Sequence, residues 1–162
     1  MGTPTYKPLA TKTLTATATS VTFSSIGQGF RDLVLVATLV PGSGASTLRY
    51  NFNGDATAAN YSSVAASGDG ATASSSTEAS GANAYLWLWI NAHRDQSIAN
   101  FMDYSATDKH KTVLARLSDS TYGVQMAAGR WASTAAMTSI AVSSNVSFVA
   151  GSVFTLYGIA SA

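Results

Sequence analysis

Side chains alternate with a period of two along most of this chain, and no stretch holds a period of 3.6. That pattern dictates strands rather than helices. Thr11, Thr13, Thr15, Thr17 and Thr19 alternate with Lys12, Leu14, Ala16 and Ala18. Threonine is β-branched and suits a pleated surface. Ser20–Val21–Thr22–Phe23 continues the alternation. Asp32 to Val40 is almost continuously apolar, as in a strand buried on both faces. Thr47 to Asn53 alternates again, with Leu48, Tyr50 and Phe52 inward and Arg49 and Asn51 outward. Further strands are predicted at Ala84–Asn91, Ile98–Tyr104, Thr112–Leu117, Tyr122–Trp131, Met137–Ser143 and Ser152–Ile159. Turn residues separate them at the spacing of an antiparallel sandwich or barrel. The chain reads as an all-β domain of about ten strands.

Residues 1–10, with Pro4 and Pro8, read as an N-terminal arm, and residues 11–162 as one sandwich domain. Residues 62–83 are almost only Ser, Ala, Gly and Thr. A structureless loop of that length is uncommon inside a compact domain. A hairpin of small residues around Gly68–Asp69–Gly70, or a segment ordered by a neighbouring subunit, is expected there. The predicted core is Leu33, Leu35, Leu48, Tyr50, Phe52, Leu86, Leu88, Ile90, Phe101, Val113, Leu117, Val124, Trp131, Ile140, Val142, Phe148, Phe154 and Leu156.

Composition narrows the function. Only 10% of the 162 residues are charged, and the net charge is +1. Ala, Ser and Thr make up 70 residues. There is no basic excess to neutralise phosphates, so no nucleic-acid partner is expected. The absence of cysteine excludes a disulfide framework and thiolate zinc sites. No run of about 20 apolar residues exists to cross a membrane as a helix. The first ten residues lack the apolar core of a signal peptide, so use without secretion by the general route is expected. A surface this poor in charge favours association.

Little in the sequence carries chemistry. His93 and His110 each lie two residues from an aspartate, Asp95 and Asp108, but no strained Gly-x-Ser-x-Gly turn accompanies them. Two distant histidines supply no metal site. The thinly spread carboxylates, above all Asp55 and Asp69 beside glycine, fit turn-capping roles. Gly27–Gln28–Gly29 lacks the third glycine and the helix of a dinucleotide fingerprint. Lys109, His110, Lys111 and Arg116 form a small basic cluster that solvates a turn or meets an acidic partner. No catalytic residue, cofactor or metal is expected. The strand at Ala84–Asn91 is bulky on both sides, with Tyr85, Trp87 and Trp89 opposite Leu86, Leu88 and Ile90. A covering loop, a subunit contact or a sugar-stacking platform would each account for that.

Several motifs stand in a fixed order: Val21–Thr22–Phe23–Ser24–Ser25–Ile26, Asp32–Leu33–Val34–Leu35, and Leu48 to Asp55 with Asn60–Tyr61–Ser62. Gly129–Arg130–Trp131, Ala136 to Ile140, Phe148 to Ser152 and Phe154 to Ile159 follow. In this order the chain resembles small β-sandwich virion structural proteins of tailed bacteriophages, which are capsid decoration (cement) proteins or domains of tail and fibre proteins. The resemblance covers nearly the whole chain except residues 62–83, and brings no catalytic residues with it. It implies a jelly-roll-like antiparallel sandwich without enzymatic activity, and does not by itself choose between head and tail. A single sandwich with only a ten-residue arm suits repeated decoration, so the capsid surface is the expected location. Its partners would be the major capsid protein and copies of itself, with a trimer as the leading assembly. The alternative is a tail-fibre or receptor-binding module recognising bacterial surface glycans. Thr3, Pro4, Tyr6 and Pro8 of the arm, with Tyr85, Trp87 and Trp89, are the expected contact residues.

Overall fold

A computed structural model describes residues 5–44, 46–78, 86–90, 94–119 and 123–160. Among them lie twelve strands and one short 3-10 turn, Ala58–Asn60. The strands are β1 (Tyr6–Thr13), β2 (Ala18–Phe23), β3 (Asp32–Leu39), β4 (Ser46–Phe52), β5 (Tyr61–Gly68) and β6 (Ala73–Glu78). They continue as β7 (Leu86–Ile90), β8 (Asp95–Met102), β9 (Lys111–Asp119), β10 (Gly123–Trp131), β11 (Ile140–Phe148) and β12 (Val153–Ile159). All pairings are antiparallel.

Two sheets form. The larger has the order β1-β12-β3-β8-β9-β10-β5-β6 and the smaller β2-β11-β4-β7. Without β5, β6, β9 and β10, each pair nests inside the previous one: β1 with β12, β2 with β11, β3 with β8, β4 with β7. One long hairpin rolled over two sheets is a jelly roll, so the fold is the one expected. The remaining four strands are two inserted hairpins that widen the large sheet beyond β8.

The core lies between the sheets and contains every predicted core residue except Val124. Phe52 is its aromatic centre, 5.8 Å from Phe101, 5.6 Å from Trp131 and 6.1 Å from Tyr61, ring centre to ring centre. Two glycines let sheet and side chain meet closely. A Cβ on Gly158 would sit 2.5 Å from the Phe30 ring, and one on Gly129 2.5 Å from Leu86.

Four local expectations change. The first strand starts at Tyr6, so residues 6–10 of the expected arm pair with β12 across a bulge between Pro8 and Ala10. It ends at Thr13 rather than running to Thr19. Leu14 exchanges backbone hydrogen bonds with Gly151 and Ser152, both 2.9 Å, and the chain then crosses to the smaller sheet. Val124 is exposed because it lies seven residues from Trp131, and an odd separation puts the two on opposite faces. Met137–Ser139 precedes β11 as irregular chain, held by Asn53. The segment 62–83 does supply a hairpin, β5–β6, with Asp69 Oδ1 accepting from the backbone N–H of Ala71 (2.8 Å) and Thr72 (2.6 Å) at its turn. Residues 79–83 lie outside the described residues.

Candidate docking surface

His110 is exposed, and His93 lies outside the described residues. No group of three or more metal-ligating side chains occurs among the described residues. Asp32 pairs with Arg31 at 2.7 Å and accepts the backbone N–H of Asp103 at 2.9 Å. Asp69 caps its turn, and the Thr72 and Ala71 amides hold its carboxyl below the usual range. Asp95 is buried at the head of β8. Each described carboxylate whose bonds are given thus serves local structure.

Asp55 is the most connected. Its Oδ2 accepts from the Trp131 indole N–H (2.7 Å) and the Asn60 amide (2.8 Å), while Oδ1 accepts from Thr57 N–H (2.9 Å). Burial alone would raise its pKa, but these donors favour the ionised form and bring it down to about 2. Asn53 stands beside it with φ of 53°, in the left-handed region, two residues along from Asn51. The Asn53 carbonyl accepts from the N–H of Thr138 (2.8 Å) and of Ser139 (3.0 Å), and its amide donates to Ala136 O (2.8 Å). The motifs Phe52–Asp55, Asn60–Ser62, Gly129–Trp131 and Ala136–Ile140 therefore meet in one polar knot at an end of the sandwich. Their geometry is that of a clasp between the sheets.

The basic cluster does not form as a patch. Lys111 is fully buried, and its ammonium donates to Lys109 O (2.9 Å) and Thr134 O (3.4 Å). Burial pushes its pKa down, against the pull of Asp108 and Asp103. Lys109 pairs with Asp103 at 3.4 Å. Arg116 stands apart, outward on β9.

Of the expected contact residues, Tyr6 is 56% exposed and Pro8 is exposed, both on edge strand β1. Thr3, Pro4 and Tyr85 lie outside the described residues. So do the side chains of Trp87 and Trp89, whose backbone in β7 pairs with Arg49 and Thr47.

The surface with the clearest unused character is the outer face of the widened large sheet. Across β8, β9, β10, β5 and β6 the outward positions fall in rows. The first is Gln96–Ser118–Val124–Gly68–Ala73 and the second Ile98–Arg116–Met126–Ala66–Ser75. The third is Asn100–Leu114–Ala128–Val64–Thr77, and the fourth Met102–Thr112–Arg130–Ser62. Val124 and Met126 are 65% and 64% exposed, Val64 53% and Leu114 45%. Two shallow depressions of about 380 and 460 Å³ flank a ridge made by Arg116 and Met126. Exposed large apolar side chains grouped in this way mark interaction surfaces. The sequence reading missed Val64, Leu114 and Met126. Their signal was present: in β9 the buried Val113, Ala115 and Leu117 fix Leu114 and Arg116 on the other face. No protein-family model and no curated protein matches this chain.

Proposed function

We propose that this chain is a non-enzymatic structural protein of a tailed-bacteriophage virion, a decoration protein that binds the outer shell and clamps neighbouring capsid subunits. One observation carries the reading: a broad sheet face of small, hydroxyl and apolar side chains with two charges among its outward positions. Such a face packs against another protein without stranding many desolvated charges. The order of sequence motifs that resembles virion sandwich proteins supports it. So does the use of the polar motif residues as a clasp, which leaves the surface to do the work. Clamping resists the outward pressure of packaged DNA, and trimers at local symmetry axes would multiply weak single contacts.

Counting copies per particle tests this. A head decoration protein is expected in hundreds of copies. A count of a few to tens would instead favour a tail-fibre or receptor-binding module, and absence from particles would end both readings.

A further inference from the structure

The half-sheet formed by β8, β9, β10, β5 and β6 has an uneven electrostatic character. No Asp or Glu occupies any of its outward register positions, whereas Arg116 and Arg130 do. Both arginines are exposed. Neither guanidinium takes part in the Arg31–Asp32 or the Lys109–Asp103 ion pair. Arg116 also rises from the middle of the apolar patch, between Leu114, Met126 and the two depressions.

We propose that this face is the shell-contacting surface, and that it recognises a protein surface with an apolar centre and two carboxylates set to meet Arg116 and Arg130. The proposal rests on the decoration reading above and names the chemistry of its partner. The spacing follows from the register: Arg130 faces Thr112, four residues from Arg116. The two carboxylates must therefore stand roughly 14 Å apart along the strands and one strand spacing across.

Charge complementarity selects this occupant over a second copy. Two such faces laid together would bury arginines against a surface that offers no carboxylate, and an unpaired buried charge is costly. A nucleic acid is a poorer match, because two arginines release few counterions and Val64, Val124 and Met126 have no phosphate to meet.

The test uses purified protein and shells lacking it, with binding followed by co-sedimentation at low and high salt. Met126→Asp and Arg116→Glu are each expected to weaken binding tenfold or more, and Arg130→Glu several-fold. Wild-type binding should weaken with salt, and less so for the arginine variants. Thr22→Glu, exposed on the smaller sheet, should bind as wild type. Circular dichroism and urea midpoints confirm that the exposed-site variants remain folded.

Wild-type binding that persists unchanged in Met126→Asp and Arg116→Glu overturns the assignment of this face while leaving the decoration reading intact. Failure of the wild type to bind any shell overturns both. Self-association lost in Met126→Asp with shell binding retained gives the face to a second copy. Arg116-dependent retention on double-stranded DNA gives it to a nucleic acid. Either result overturns the proposal.

Discussion

Asp55 shows how one side chain can hold an end of the sandwich. Three donors from two segments, the Thr57–Asn60 turn and β10, converge on its carboxylate and hold its pKa at about 2. The unfolded value is about 3.9. A depressed folded pKa means stability present above about pH 4 and lost as pH falls towards 2. The carboxylate is partly exposed, so screening reduces the contribution to about 1 kcal/mol. Urea midpoints measured from pH 6 to pH 2 should fall in that window, and Asp55→Asn should flatten the decline. Tyr50 and Tyr61 act at the opposite extreme. Burial pushes both phenols up to about 12, and Tyr50 retains a 2.9 Å hydrogen bond to Ser97. A raised folded pKa leaves stability intact below pH 10 and removes it between about pH 10 and 12. Tyr50→Phe should lessen that alkaline loss in the same titration. Gly158 has a steric role: with the Phe30 ring 2.5 Å from where a Cβ would stand, Gly158→Ala should cost about 1–3 kcal/mol in thermal or urea unfolding.

Parity governs what each strand buries, and parity was legible wherever one face is strongly apolar. Leu48, Tyr50 and Phe52 in β4, and Phe154, Leu156 and Gly158 in β12, lie inward as the alternation predicts. β10 was misread because it carries apolar residues on both faces. Val124 and Met126 look like core, yet Gln125, Gly129 and Trp131 are the buried set. The break between β1 and β2 was hidden for another reason. Threonine alternation runs through it, and a period of two says nothing about which sheet a strand joins. The candidate surface was legible in part: Val113, Ala115 and Leu117 place Leu114 outward by parity, whereas in β10 the apolar residues on both faces hide Met126, as they hide Val124, until register is known. One consequence is measurable. Met126→Gln and Val124→Thr should change the urea midpoint by no more than about 0.5 kcal/mol equivalent, unlike core substitutions such as Leu117→Ala at about 2–5 kcal/mol.

The whole molecule is a jelly roll whose large sheet is twice as wide as the small one. The inserted hairpins build that extra width, and the candidate surface lies on them. Contacts within the roll link residues far apart in sequence, since β1 closes onto β12. Folding dominated by such distant pairings is slow compared with a helical domain of this size. The same closure has a practical outcome. Thr5 and Ala160 are hydrogen bonded at 3.0 Å, so both ends of the described chain leave from one edge of the large sheet. That edge stands seven strand spacings, about 34 Å along the sheet, from β6. A peptide or reporter domain fused at either end would therefore hang clear of the β5–β10 face, while one inserted at the Asp69–Thr72 turn would sit beside it.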